Sequence, residues 1–477
     1  MARVFLRDSA ALAASQYVAR AMVLARGVAA AAALGPAGFG AWNALNLILD
    51  YGAYASLGAI QGLDLMLPAA VARGETESGR RAMRGAWWIT LAGAAAFSLG
   101  VAIVLANGRW ISTTGWGWSP PLGMLVAAIV QLAILYHAAS LRAHGDFSVT
   151  SVGLALQALV GGGLGILTVW RLGVWGLVIG WIAGGVCAIA WMRRSPWRPP
   201  LLPAGPREGM TLVARGFPIF AFFTLTLVIR SLDRIALARY ADNQALGLYS
   251  LGLTAVGLVL YLPEAAAAVL FPRVAAAAQG ARDAEEIRLQ VVRAHRFLMA
   301  TLPALIGPGV LIAPWVLALV LPQFAESLAT LRVLAVAALV FSMATIPSYY
   351  LLGSSRSPSV LGVPASAAVV AAAAIFGTAM VAPGAVEVAW ATTAGYASFA
   401  LAMLGLATPR LARQAGDRLW LWAGTLAPVA WSAALMLWLS RAPDATAAGM
   451  ALRTAGFLAL YAPVGLVCAG VLRIRRP

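Results

Sequence analysis

Four arginines lie inside stretches that are otherwise long and apolar enough to be membrane helices. Arg20 and Arg26 lie in the first such stretch. Arg230 and Arg234 lie in a later one, on either side of Asp233. A charged side chain at the centre of a membrane helix costs about 2.5–3.5 kcal/mol on insertion scales. These arginines therefore indicate a polar cavity between helices, and fixed positive charge in that cavity favours an anionic cargo.

Apolar stretches of membrane-spanning length recur along the whole chain. Of its 477 residues, 61% are hydrophobic and only 11% are charged, whereas a soluble domain carries about 25% charged residues. The pattern predicts an all-α, polytopic membrane protein with about fourteen transmembrane helices. We place these spans near residues 10–34, 40–60, 85–106, 121–141, 148–170, 174–192, 217–239, 245–270, 297–320, 328–352, 358–381, 386–407, 419–439 and 449–472.

The net charge of +17 comes from 34 basic residues, and all of them are arginine. Most lie in alternate loops and at the two termini, so the positive-inside rule predicts a multi-pass protein with both termini in the cytoplasm. This placement favours a topology signal and attraction to anionic membrane lipids. We therefore expect no nucleic-acid partner.

A proline-rich stretch at 193–216 divides the predicted spans into two sets of six. We predict an N-terminal lobe at 1–192, a cytoplasmic linker at 193–216, a C-terminal lobe at 217–407 and two extra helices at 408–477.

The two predicted lobes form a pseudo-repeat. Gly40 aligns with Gly247, and Tyr54 aligns with Tyr261. Since the first and seventh spans both begin in the cytoplasm, the repeat is parallel, which is a transporter architecture with its site near the membrane midplane.

Polar side chains form one stripe in each lobe. With helical spacing, the second span carries Asn43, Asn46, Asp50, Tyr54 and Gln61, and the eighth carries Ser250, Thr254, Tyr261 and Glu264. The stripes could line a cavity, or they could hydrogen-bond helices together.

The charged groups lie at similar depths. At 1.5 Å per residue, Arg26 and Asp50 each lie about 12 Å below the outer end of their spans, and Arg230 and Arg234 lie about 9–15 Å below theirs. Arg26 could pair with Asp50, which would lower the cost of burying both. One interpretation is a closed salt-bridge network. The other is an excess of positive charge that requires water or an anion, because we count only two acids near four arginines.

Other chemistry has little support. Cys187 and Cys468 both fall in apolar helix, and three scattered histidines do not make a metal site. Arg332 and Arg453 lie near helix ends, within reach of the interface, where they anchor. We find no glycine-rich phosphate loop that would indicate an ATP-driven pump.

Several motifs resemble the multidrug/oligosaccharidyl-lipid/polysaccharide exporter superfamily, and within it the Wzx-type lipid-linked oligosaccharide flippases. They are Leu34-Gly-Pro-Ala-Gly-Phe-Gly-Ala-Trp42, Leu232-Asp-Arg-Ile-Ala-Leu-Ala-Arg239, Ala245-Leu-Gly-Leu-Tyr249, Leu270-Phe-Pro-Arg273, Leu331-Arg-Val-Leu334 and Tyr350-Leu-Leu-Gly-Ser354. Residues 31–33 are alanines where an arginine is common, which is a departure from the subfamily pattern.

The resemblance implies two rocking lobes of six helices, two further helices, and a central cavity. It implies export of an undecaprenyl-diphosphate-linked oligosaccharide for polysaccharide biosynthesis, including lipopolysaccharide, by a protein that is not an enzyme. The expected cavity residues are Arg20, Arg26, Arg230, Arg234, Asn43, Asn46, Tyr54 and Tyr261.

We expect no bound cofactor and no metal. Asp50, Asp233 or Glu264 could couple transport to a gradient of H⁺ or Na⁺, because a buried carboxylate can accept a proton or a cation. The expected partners are the lipid-linked oligosaccharide, membrane lipids and polysaccharide assembly proteins, and we expect a monomer.

Three alternatives remain open. A peptidoglycan-precursor flippase would carry the same diphosphate, and a small-molecule exporter would share the fold, although a cavity for cationic drugs would favour negative charge. An integral-membrane glycosyltransferase, polymerase or ligase would need a larger outer loop for its catalytic groups.

Overall fold

The chain folds into α-helices throughout the part that the computed structural model describes, residues 2–106, 117–280, 283–355, 357–441 and 446–470. The helices are α1 Ala2–Gly52, α2 Ala59–Ala72, α3 Thr76–Ala106, α4 Ser119–Ala143, α5 Phe147–Leu172, α6 Val174–Met192, α7 Pro206–Ile229, α8 Leu232–Tyr240, α9 Asn243–Ala278, α10 Ala284–Val320, α11 Ser327–Ser354, α12 Ser359–Val381, α13 Ala385–Leu411, α14 Ala415–Leu439 and α15 Ala447–Gly470.

Within these ranges, 13 helices are long and apolar enough to cross a membrane. The first of them is two arms joined at Gly35, whose φ of 64° and ψ of 179° are not helical. Glycine allows this conformation because it has no Cβ, and Pro36 then starts the second arm. Counted as separate arms, the helices match the fourteen predicted spans in order, and the all-α membrane fold is confirmed.

Two of the predicted spans are broken. The second ends at Gly52, and a turn over residues 53–58 leads into the short apolar helix α2. Leu57 and Gly58, with φ values of 52° and 92°, lie at the end of this turn, just before the start of α2, and prevent one continuous helix. Tyr54 and Gln61 therefore do not continue the helical face of Asn43, and the prediction of one stripe along the whole second span is wrong.

The seventh span is broken at Arg230 and Ser231, between α7 and α8. The amide of Ser231 still bonds to the carbonyl of Val228 at 3.0 Å. Backbone breaks at membrane depth are tolerated only where protein or water satisfies the freed groups. Arg230 therefore lies at a point where the helix has lost its regular backbone ladder.

Contacts divide the chain into two compact units. The first comprises Met1–Leu227 with Asp242–Gly247, and the second comprises Val228–Ala241 with Leu248–Pro477. Most of α7 belongs to the first unit, although its residues from 217 onward fall in the predicted C-terminal lobe at 217–407. The division into two lobes of six and two extra helices stays a prediction.

The predicted cytoplasmic linker packs against the first unit. The Tyr136 hydroxyl donates to the carbonyls of Met83 and Pro200 at 3.0 and 2.8 Å, and Ser140 donates to the carbonyl of Trp197 at 3.1 Å. Tyr136 is fully buried. From Pro206 the same stretch is helical, so residues 193–216 are a docked connection.

Glycines bring α7 close to the rest of the first unit. A Cβ at Gly62 or Gly216 would overlap backbone of the facing helix, and one at Gly85 would lie 2.6 Å from the amide of Gly209. Small residues at helix interfaces let membrane helices approach closely and gain van der Waals contact.

In the second unit, α11 is the buried centre and α10 holds the last two helices. His295 on α10 lies 2.9 Å from the hydroxyl of Thr425 on α14. The Tyr461 hydroxyl on α15 donates to the carbonyl of Ala300 at 2.7 Å. Phe457 fills the space above Gly307. These contacts fix α14 and α15 to the second unit.

The interface of α5 and α6 supplies a test of this packing. A Cβ at Gly180 would lie 2.6 Å from the carbonyl oxygen of Gly161 and 2.7 Å from the amide of Gly165. We expect Gly180→Ala to force the helices apart and lower the melting temperature of the purified protein, measured in detergent. Gly163→Ala, whose Cβ would meet open space, is the matched control. Equal melting temperatures for the two variants would contradict the packing.

Candidate functional site

The first unit contains a cavity of about 350 Å³ that both arginines of α1 line. The helices α4, α5 and α6 form its other walls. Its lining residues are Ala19, Arg20, Met22, Val23, Arg26, Gln131, Leu154, Gln157, Ala158, Gly162 and Trp181. Arg20 and Arg26 therefore line the same cavity.

Glycines of α5 make room for the cavity-lining side chains of α1. A Cβ at Gly162 would overlap the Met22 side chain, and one at Gly165 would lie 3.4 Å from Cδ of Arg26. Gly162 therefore leaves space for Met22, and Gly165 lets the Arg26 side chain lie against α5.

Arg26 is held by an aromatic ring. Its guanidinium carbon lies 4.5 Å from the centroid of the Trp181 ring, and such cation–π contacts contribute about 0.5–2 kcal/mol, most when desolvated. Within the described residues Arg26 makes no ion pair, so the predicted pairing with Asp50 is wrong. An indole stabilises the cation but leaves its net charge in place.

Two amides complete the polar wall. Nε2 of Gln157 donates to Oε1 of Gln131 at 2.6 Å, which joins α5 to α4. Both side chains are half-buried. The cavity thus presents two guanidinium groups and two carboxamides, with the Trp181 ring against Arg26. Guanidinium groups donate hydrogen bonds to anions, and carboxamides donate to and accept from neutral polar groups.

The other predicted residues of the first unit have local partners. The amides of Asn43 and Asn46 each donate to the carbonyl four residues earlier, both at 2.9 Å. The Tyr54 ring lies 6.4 Å from Phe220, and Asp50 is half-buried on the second arm of α1. None of these four lines the cavity around Arg26.

In the second unit, Arg230 forms a salt bridge. Its Nη1 lies 2.8 Å from Oε1 of Glu264, and its guanidinium carbon lies 5.4 Å from the Phe341 ring centroid. Tyr261 is half-buried on α9, three residues before Glu264. The count of two acids near four arginines was wrong, because Glu264 neutralises one of them.

Asp233 is fully buried at the start of α8. Its Oδ2 accepts a hydrogen bond from Tyr249 at 2.6 Å, and its Oδ1 accepts one from the amide of Arg234 at 2.7 Å. The Tyr249 hydroxyl also lies 3.1 Å from that of Thr392. The helix dipole stabilises this carboxylate because it lies near the N-terminus of α8. The hydrogen bonds through Tyr249 to Thr392 connect α8 to α9 and α13.

Arg20 and Arg26 belong to the first unit, and Arg230 and Arg234 belong to the second. Sequence reasoning missed Gln131, Gln157 and Trp181, although a lone glutamine inside an apolar span is a usable signal. Among the described residues, no group of histidine, cysteine and acidic side chains could hold a metal ion.

The chain belongs to the polysaccharide biosynthesis protein family, since the profile of that family matches residues 76–329. No curated protein matches it.

Solved structures show the same fold at low identity. The lipid II flippase MurJ, in an inward closed conformation, is 10% identical with a TM-score of 0.69 over 96% of this chain and 98% of that one. Inward-facing and outward-facing multidrug resistance MATE transporters of the MOP superfamily are 15% and 16% identical, with TM-scores of 0.60 and 0.58. They cover 82% and 86% of this chain, and it covers 94% and 95% of them.

The chain is thus a member of the polysaccharide biosynthesis protein family, and its fold is that of MurJ and of MATE transporters of the MOP superfamily. The predicted resemblance to the multidrug/oligosaccharidyl-lipid/polysaccharide exporter superfamily is therefore confirmed.

The buried Asp233 network gives a second test. Tyr249→Phe removes the donor to Oδ2 of Asp233 and leaves a buried acceptor unsatisfied, which costs about 1–3 kcal/mol. We expect a clear fall in melting temperature. Thr392→Val, which leaves the Tyr249–Asp233 bond in place, should have a smaller effect. A larger fall for Thr392→Val would contradict the assigned network.

Proposed function

We propose that this protein flips an anionic, undecaprenyl-diphosphate-linked oligosaccharide across the bacterial inner membrane for polysaccharide biosynthesis. The observation that carries the proposal is the cavity of about 350 Å³ with Arg20 and Arg26 in its wall. The family, polysaccharide biosynthesis protein, agrees with such a cargo.

The chemistry of the cavity favours a diphosphate. A guanidinium is planar, stays charged, and donates parallel hydrogen bonds that match phosphate oxygens. Because Arg26 contacts an indole and, among the described residues, no acid, a bound anion would neutralise its positive charge.

The cavity size suits the polar junction of the cargo. Ligand sites typically measure about 300–1,000 Å³, and this one lies at the small end of that range. It would hold the diphosphate and the adjoining sugar. The prenyl chain would stay in the lipid, and further sugars would extend into water.

Transport would follow alternating access. Both inward-facing and outward-facing conformations are known for MATE transporters with this fold. A cargo shifts such an equilibrium only by binding one state more tightly than the other. We assign that differential binding to four arginines, Arg20, Arg26, Arg230 and Arg234. We further propose that Asn43, Asn46, Tyr54 and Tyr261 contact the cargo during transport.

Asp50, Asp233 and Glu264 are the candidates for coupling to H⁺ or Na⁺. Glu264 is engaged by Arg230 and Asp233 by Tyr249, so protonation or cation binding at either one would have to break a present contact. Asp50 lies on the helix that carries the cavity arginines.

We propose a monomer in the inner membrane with both termini in the cytoplasm, where membrane lipids and polysaccharide assembly proteins are its partners. The arginine-rich alternate loops support this orientation.

A peptidoglycan-precursor flippase is the second candidate. The likeness to a lipid II flippase over 96% of the chain favours it. Rescue of cells depleted of their own lipid II flippase would support this candidate, and rescue of surface glycan alone would support the first.

Arg26→Gln tests the proposal in cells. Loss of one charge-assisted hydrogen bond costs about 1.5–3 kcal/mol, which corresponds to about ten-fold or more in affinity. We expect export of the surface glycan to fall by about ten-fold, measured at matched protein levels. Arg171→Gln, at the exposed end of α5, is the control and should export normally. Full export by Arg26→Gln would remove the cavity from the mechanism.

A further inference from the structure

We propose that Gln131 and Gln157 recognise the sugar that is attached directly to the diphosphate, and so select the cargo. This inference rests on the proposed function, because it places the diphosphate at Arg20 and Arg26 in the same cavity. It assigns to the amide pair a role in specificity that the arginines cannot have, since every diphosphate-linked lipid presents them with the same anion.

The geometry leaves the amide pair with unused hydrogen-bonding capacity. The pair makes one bond, from Nε2 of Gln157 to Oε1 of Gln131. The amide nitrogen of Gln131 and the carbonyl oxygen of Gln157 have no partner among the described residues, and neither atom is sealed from solvent. Both residues line the cavity. The pair therefore offers it one donor group and one acceptor.

A mutual bond also fixes the orientation of the two amides. An isolated glutamine side chain is flexible and loses rotamer entropy when it is ordered. The Gln131–Gln157 bond orders both side chains before the cargo arrives. Preorganised groups of this kind bind more tightly because the ordering cost is already met.

The chemistry of the pair fits a neutral sugar. A carboxamide donates and accepts but carries no charge, so it matches hydroxyl and acetamido groups better than it matches phosphate. Sites that hydrogen-bond a hydroxyl or amide discriminate strongly against analogues that lack it. The cavity thus combines cationic groups on α1 with neutral amides on α4 and α5.

A purely structural role for the pair makes a different prediction. Amides can hold membrane helices together by hydrogen bonds between them. Loss of those hydrogen bonds would loosen the wall of the cavity for every ligand alike. A role in recognition would instead affect only ligands that carry the sugar.

The experiment measures binding of two lipids to the full chain in nanodiscs. One probe is undecaprenyl diphosphate, and the other is undecaprenyl diphosphate bearing a single N-acetylhexosamine. The wild-type protein should bind the sugar-bearing lipid about five-fold or more tightly than the bare one, as one or two added hydrogen bonds imply. Gln157→Met and Gln131→Met keep the side-chain length and remove the amide. Each should abolish that difference and leave binding of the bare lipid within about two-fold.

Gln244→Leu, an exposed change on α9, is the control and should bind as the wild type. If the two Met variants bind both lipids equally more weakly than the wild type, or bind both unchanged, the recognition role is overturned and the proposed function still stands. Equal wild-type affinity for the two lipids would also overturn it, and this comparison needs no variant. Wild-type protein that binds neither lipid would overturn the proposed function itself and this inference with it.

Discussion

The structure depends on the need to keep guanidinium groups charged inside a bundle of apolar helices. Arg26 meets this need without an acid, because the Trp181 ring lies against it at 4.5 Å and a cavity of about 350 Å³ lies beside it. Arg230 meets it with a carboxylate, Glu264, at 2.8 Å. The two solutions have different consequences. An ion pair leaves little net charge, whereas a cation held by an indole still attracts an anion.

Close packing at glycines allows Arg26 to lie beside Trp181 and the cavity. Gly180 and Gly184 bring α6 within backbone contact of α5, and Gly162 and Gly165 leave space on α5 for the side chains of α1. The same helices carry Gln157 and Trp181. Close approach therefore has two effects. It supplies van der Waals contact that stabilises the unit, and it positions the polar groups around a cavity of about 350 Å³.

The number and order of the spans were predictable because membrane helices are long and apolar along their own sequence. The breaks at 53–58 and 230–231 were not, since the first depends on Leu57 adopting a positive φ that no composition signal marks. The cavity arginines were predictable from the cost of buried charge. The salt bridge of Arg230 with Glu264, 34 residues away, and the Gln131–Gln157 bond were missed because they depend on how separate helices pack.

The central claim is that the α1 arginines bind the diphosphate of a lipid-linked cargo. A cryo-EM structure of the full chain with undecaprenyl diphosphate bound in nanodiscs tests it most directly. The account predicts diphosphate density in the cavity, with phosphate oxygens about 2.7–2.9 Å from a guanidinium nitrogen of Arg26. Diphosphate density elsewhere, with Arg26 still against Trp181 in an unchanged cavity, would contradict it.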